Sequence, residues 1–216
     1  MSKKKKKQHQ RVLPAAPSPA IMQAPAISQN NRLEYLLPVL LCVLLVVLYG
    51  IVYDKTEGLY QHDEAAHLLD MLNFWDHPLD TITGLWSRGG YKILYCLSAL
   101  GGYPAIIFTN ILFTAGTAWL TWRVARGYQL PQSWLAIVLF GVQPFVINLS
   151  FRCYAEIPTM FFTVLLLRLW QMKRYMAVAI VVSFLFTLRQ EMMVFAILAG
   201  IFFAWRRKWI PLLLLA

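Results

Sequence analysis

Four acidic or imidazole side chains fall within six residues of one stretch: His62, Asp63, Glu64 and His67 in Tyr60-Gln61-His62-Asp63-Glu64-Ala65-Ala66-His67-Leu68-Leu69-Asp70. A carboxylate there can take a proton from a hydroxyl that must act as a nucleophile, since a hydroxyl is weak without a positioned base. Glu64 and His67, three apart, would share a helix face and could also hold a divalent cation, although no third ligand is evident and no His-x-x-x-His pair exists. A plainer reading is that Asp63 and Glu64 are acids in a first helical turn, where the macrodipole favours negative charge. Two further stretches carry charge in otherwise apolar surroundings. One is Phe151-Arg152-Cys153-Tyr154-Ala155-Glu156-Ile157-Pro158, where Arg152 and Glu156 are four apart and could pair. The other is Leu188-Arg189-Gln190-Glu191, which reads equally as a turn between two helices.

The elements around these stretches are oily. Charged residues make up 14% of the chain and hydrophobic ones 59%, far from the balance of a soluble domain. Residues 36–52 contain no charge and are long enough to cross a bilayer. The chain therefore reads as all-α, a polytopic transmembrane helical bundle. Residues 1–32 form a basic, proline-rich cytoplasmic tail too polar to fold. Its lysines 3–7 are a topology signal or an attraction to anionic lipid. Residues 33–216 are the transmembrane domain, with about six complete spans and the start of a seventh.

The expected spans are 34–53, with Pro38 in the first turn; 103–122, after a break at Gly101-Gly102; 134–149, kinked at Pro144; 157–170; 175–188; and 192–205. Residues 91–100 form an apolar helix too short to span. The connection 54–90 is a long outer loop carrying amphipathic interfacial helices. In its first helix Ala65, Leu68, Leu69, Leu72 and Trp75 form an apolar face, the acids turn toward water, and Pro78 ends it. Trp86 and Tyr91 are interfacial anchors.

The net charge of +10 does not imply nucleic acid. With a cytoplasmic N-terminus, fifteen of the twenty lysines and arginines fall on the cytoplasmic side, where the positive-inside rule puts them. Of the ten acids only Glu34 joins them. The other acids, Asp54 and Glu57 included, collect on the far face, together with all three stretches described above. Ionisable groups at membrane depth are expensive and mark function. The three cysteines, Cys42, Cys96 and Cys153, have neither zinc nor disulfide spacing. Basic residues and apolar run are too far apart for a cleavable signal peptide.

The order of a cytoplasmic N-terminus, one membrane helix, an outer loop opening with Asp-Glu on an amphipathic helix, and short paired helices resembles the N-terminal part of the GT-C superfamily. These are integral membrane glycosyltransferases that use polyprenyl-phosphate sugars, among them protein O-mannosyltransferases and the aminoarabinose transferases of lipid A. The resemblance rests on His62-Asp63-Glu64-Ala65-Ala66-His67, on residues 152–158, on Gly89-Gly90-Tyr91-Lys92-Ile93-Leu94-Tyr95 and on Arg189. It covers about residues 35–205, and the prolines common before the family's second helix are missing. It implies sugar transfer to an acceptor hydroxyl of a protein, lipid or glycan on the periplasmic or luminal face. Asp63 would be the base and Glu64 would orient the acceptor. Arg189, Arg152 and Lys92 would hold the donor phosphate. His62, His67, Glu156 and Glu191 would line the acceptor side of the cavity. No cofactor and no metal is implied. The protein would be an integral multi-pass component of a cell (inner) membrane, contacting membrane lipids. Family members have more helices than this, so the run beginning at Trp209 is expected to continue past Ala216 in a longer protein. A transporter-like chain would instead carry its charges deep within the spans; a non-catalytic membrane assembly subunit is the other alternative.

Overall fold

The computed structural model describes residues 31–56, 62–83 and 88–215. The tail, but for its last two positions, and the anchor Trp86 lie outside these residues, as do Glu57 and part of the 54–90 loop. All regular structure among the described residues is helical.

Helix α1 (Asn31–Thr56) is the apolar run already legible in the sequence. It begins earlier than expected, so Pro38 lies inside it rather than in its first turn, forgoing one backbone hydrogen bond. Helices α2 (His62–Asn73) and α3 (Pro78–Thr83) follow. Pro78 does not end α2. The chain leaves the helix in a turn after Asn73, and Pro78 opens α3, where a proline lacking its N–H fits. Helix α4 (Gly89–Ala99) is the short apolar helix. Gly102, at φ +72°, turns the chain into α5 (Gly102–Gly127), a conformation that glycine adopts without a Cβ penalty.

The expected span over 134–149 is broken rather than kinked, into α6 (Leu135–Gly141) and α7 (Pro144–Ser150). Gln143 between them is extended, at φ −68° and ψ 115°, because the ring of a following proline disfavours helical backbone. Helix α8 (Glu156–Gln171) and α9 (Tyr175–Leu188) form a hairpin; a 3-10 turn (Gln190–Met192) leads into α10 (Met193–Trp205), and α11 (Trp209–Leu213) closes the described chain.

Helix α5 is the hub. It packs against α1, α4, α6, α7 and α8, while α9 covers α4, α8, α10 and α11. One side of α5 is a polar seam: Asn110 Nδ2 donates to the Arg152 carbonyl at 2.6 Å, and Thr114 Oγ1 lies 2.8 Å from Ser150 Oγ. Tyr103 Oη donates to the Phe151 carbonyl at 2.8 Å. Buried polar groups of this kind must be paired, and these pairs fix the segment between α7 and α8. Below the seam the core is aromatic, with Phe162 against Phe184 at 4.8 Å and Phe113 against Phe161 at 5.1 Å.

Among the described residues two helices, α1 over Tyr35–Val52 and α5, are long and apolar enough to cross a membrane. The α1 window is only 11% buried, and its outward side is a row of exposed leucines and valines, among them Val39, Val43 and Val47.

Candidate functional site

Helix α2 departs from its sequence reading in one of its acids: Asp63 is exposed, as expected, but Glu64 turns inward. Glu64, His67 and Met71, at i, i+3 and i+7, are its buried residues, whereas Leu69, Leu72 and Trp75 are exposed. Leu69 and Leu72 face outward, Ala65 and Leu68 are half-buried, and the stripe carrying a carboxylate and an imidazole faces α4 and the 151–155 segment.

Glu64 is fully buried. Its Oε1 accepts the Cys153 backbone N–H at 3.1 Å, and its Oε2 faces Arg152 Nη1 at 3.4 Å. The adjacent acids thus have different environments: Glu64 is enclosed and bonded, and Asp63 is exposed. Arg152 does not pair with Glu156 four residues on. Glu156 opens α8 and pairs with Arg189, which also grips Glu191 at 3.2 Å. That ion-pair chain joins α8 to the α9–α10 turn. The Glu191 carboxyl is held below its ordinary range, first by its hydrogen bond from Arg189; the Arg189 guanidinium is correspondingly pushed up.

Lys92, buried in α4, reaches Asp70 at 2.8 Å and donates to the Thr81 carbonyl at 3.1 Å. It fastens α2, α3 and α4 together. His67 packs edge-on against Tyr91, with ring centroids 5.5 Å apart, and against Tyr154 at 6.4 Å. Its Nδ1 is buried with no hydrogen-bond partner. Burial, and then the nearby Arg88 cation, hold its pKa below the ordinary 6.5. The Cys153 thiol, 3.5 Å from Tyr91 Oη, is pushed up to about 12 by burial, which leaves it protonated and unsuited to nucleophilic attack.

These groups surround a cavity of about 390 Å³. Its walls are His62, Asp63, Ala66, His67 and Asp70 of α2, Arg88 at the start of α4, and Tyr154 and Glu156 at the head of α8. Of the site residues expected from the sequence, His62, Asp63, His67 and Glu156 share this cavity. Glu64 and Arg152 form the tie beside it, and Arg189 joins through Glu156. Glu191 lies beyond Arg189, and Lys92 sits behind Asp70. Arg88, Asp70 and Tyr154 are the lining residues that sequence reasoning passed over. Arg88 is the most informative of them: it is half-buried and forms no ion pair with a described residue. Its signal was its place, immediately before Gly89-Gly90 where the outer loop returns to an apolar helix. Among the described residues no group of three or more His, Cys, Asp or Glu is arranged to hold a metal ion.

The cavity offers an open carboxylate (Asp63), a cation without a carboxylate partner among the described residues (Arg88), a carboxylate–arginine pair (Glu156–Arg189) and a neutral imidazole (His67). That set suits a reaction in which a proton is removed at one side and negative charge develops at the other. No family model, curated protein or solved structure matches the chain.

Proposed function

We propose that this protein is a multi-pass membrane glycosyltransferase of GT-C type, moving a sugar from a polyprenyl-phosphate carrier to an acceptor hydroxyl at the outer face of the membrane. The observation that carries the reading is the division of labour between the adjacent acids around one cavity: Asp63 open to it, Glu64 locked to Cys153 and Arg152. A base must be reachable by its substrate, and a positioning group must not move.

In this reading the acceptor O–H enters beside Asp63. Its oxygen attacks the anomeric carbon as the bond from that carbon to the carrier phosphate breaks, and the proton passes to the Asp63 carboxylate. The phosphate leaves as a stable anion with the bonding electron pair, so it requires no proton donor. It gains negative charge, and the cation facing the cavity, Arg88, is placed to receive it. Arg189 and Arg152 face carboxylates, Glu156 with Glu191 and Glu64, so their charge serves to hold the cavity wall in place. Lys92 acts indirectly, by holding Asp70 and α3 in place. One displacement inverts the anomeric centre. The exposed apolar faces of the helices support a membrane setting, and the carrier's isoprenoid tail would lie against them.

Sugar transfer from a polyprenyl-phosphate donor in nanodiscs tests the assignment. Asp63→Asn keeps the shape and loses the base, so turnover should fall about 10²–10⁴-fold with acceptor affinity little changed. Turnover close to wild type would remove Asp63 from the reaction. Orientation is tested separately, by cysteine-accessibility labelling at positions 63 and 174. Label should reach position 63 only from the outer side and position 174 only from the cytoplasmic side.

A further inference from the structure

Helix α8 starts at the cavity with Glu156 and ends at Gln171, about 24 Å away at 1.5 Å per residue. At that far end two turns lie side by side. The first follows α8 and the second follows α10, and they have the same form. Lys173 (φ +58°) donates its N–H to the Trp170 carbonyl at 2.9 Å, and Arg174 to Leu169 at 3.0 Å. Arg207 (φ +52°) donates to Ala204 at 3.1 Å, and Lys208 to Phe203 at 2.8 Å. These are Schellman closures, whose left-handed position is ordinarily a glycine. Here a basic residue occupies it both times, and another basic residue follows both times.

The four cations border a single groove of about 720 Å³. Among the described residues no carboxylate lines it, and none of the four forms an ion pair. Its other half is apolar. The Tyr175 ring forms the floor, supported by Phe202 at 5.7 Å and Phe203 at 6.2 Å, and Lys208 Nζ sits 4.2 Å above that ring. Met176, Trp209 and Ile210 form an exposed apolar lip. Four clustered like charges repel one another, so the groove favours an occupant that is anionic at one end and apolar at the other.

We propose that this groove is a binding site for one anionic glycerophospholipid. Its phosphate would lie among Lys173, Arg174, Arg207 and Lys208, and an acyl chain along Met176 and Ile210. Basic pockets between membrane helices recognise headgroups in this way. The site rests on the multi-pass reading above, which puts this end of the bundle at the cytoplasmic leaflet, but it involves none of the residues assigned to sugar transfer. Its occupant would brace the α8–α9 and α10–α11 turns together.

Native mass spectrometry of the full chain in neutral detergent reads the site, with dioleoyl phosphatidylglycerol, dioleoyl phosphatidylcholine and tail-less glycerol phosphate as probes. Phosphatidylglycerol should bind saturably, and the other two much more weakly. Arg174→Gln with Lys208→Gln should weaken it about thirtyfold, from about fivefold per charge. Lys173→Gly with Arg207→Gly should weaken it similarly while raising the melting temperature, because glycine relieves both left-handed positions. That combination separates lost affinity from lost folding. Equal binding of the two dioleoyl lipids would overturn the site, and so would unchanged affinity in both double variants. Glycerol phosphate binding as tightly as the whole lipid would also overturn it, since the apolar half would then contribute nothing. Carbonate extraction of membranes separates this from the wider reading. A chain that washes off overturns both, whereas a chain that stays but does not distinguish the two lipids overturns the site alone.

Discussion

Glu64 Oε1 accepts the Cys153 backbone N–H at 3.1 Å across 89 residues of sequence. A buried side chain, not a backbone ladder, therefore fastens α2 to the segment that leads into α8. Arg152 Nη1, 3.4 Å from the other carboxylate oxygen, makes the fastening two-pronged. Glu64→Ala removes both contacts and leaves a buried N–H without its acceptor. It should destabilise the protein by about 3 kcal/mol. Glu64→Gln keeps an acceptor for the Cys153 N–H and should recover part of that loss while staying weak toward Arg152. Thermal unfolding of both variants in detergent checks this. Equal stability of Glu64→Ala and wild type would mean that α2 is held from elsewhere.

Gly90 marks the closest approach of α4 to α9. A Cβ there would lie 2.0 Å from Thr187 Oγ1 and 2.8 Å from Thr187 Cβ. The Thr187 hydroxyl already donates to the Phe184 carbonyl at 2.7 Å, so it has a reason to stay. Gly90→Ala should part the two helices and cost about 1–3 kcal/mol. Because Arg88 and Lys92 flank this position, sugar-transfer activity should fall along with the melting temperature. A full-activity Gly90→Ala protein would show that α4 shifts without disturbing the cavity.

The helices were legible because apolar runs and their Gly, Pro and basic punctuation are local signals. Gly102 and the 171–174 turn stand where those signals put them. The three charged stretches were legible too, since charge is conspicuous in an oily chain. What the sequence hid was direction. The sequence reading turned both acids of α2 toward water, whereas Glu64 points inward beside His67 and Asp63 alone of the pair is exposed. Periodicity locates an apolar stripe, but it does not say which polar residue on the other side meets a partner from a distant segment, as Glu64 meets Cys153 and Arg152. Pairings were hidden for a related reason. Arg152 and Glu156 have ideal local spacing, yet each is taken by a partner that only the tertiary fold brings near. Pro144 was expected to bend a helix, and instead it separates two.

His67 gives the site a pH dependence. Burial is the largest influence on it; Arg88 and Lys92 lower its pKa further, while Asp70 and Asp63 oppose them. The folded imidazole thus binds its proton less readily than the unfolded one. Between the lowered folded pKa and 6.5, the unfolded chain holds more protons, so stability rises with pH through that window. Acidifying from above 6.5 should lower the melting temperature progressively until the folded imidazole is also protonated. His67→Gln should flatten the profile in that window. A second loss should begin below 4.5, the ordinary value from which Glu191 is depressed, and Glu191→Gln should remove that part alone. Melting temperature against pH for the three proteins provides the check; an unaltered slope near pH 6 in His67→Gln would assign the dependence to another group.

Arg88 and Arg189 should differ in kind, although both are arginines beside one cavity. Arg88 lines the cavity and has no ion-pair partner among the described residues. Arg189 is held by Glu156 and Glu191. In the proposed reaction Arg88 would meet the donor phosphate, anionic already when bound, and then the charge it gains on leaving, so removing this cation weakens donor binding and slows the reaction without loosening the fold. Arg88→Gln should therefore lower turnover about a hundredfold, raise the donor KM, and leave stability within about 0.5 kcal/mol of wild type. Arg88→Lys should restore part of the rate, since a point charge still attracts phosphate without the planar fork. Arg189→Ala should lower stability as well as rate, because it leaves the Glu156 and Glu191 carboxylates without the cation they share. It should also let the Glu191 carboxyl titrate back toward 4.5, the direction opposite to its present depression. Melting temperature, steady-state kinetics with varied donor, and carboxyl chemical shifts against pH distinguish the two. Wild-type kinetics in Arg88→Gln, with turnover lost and stability kept in Arg189→Ala, would exchange the two roles and move the phosphate to the α8 side of the cavity.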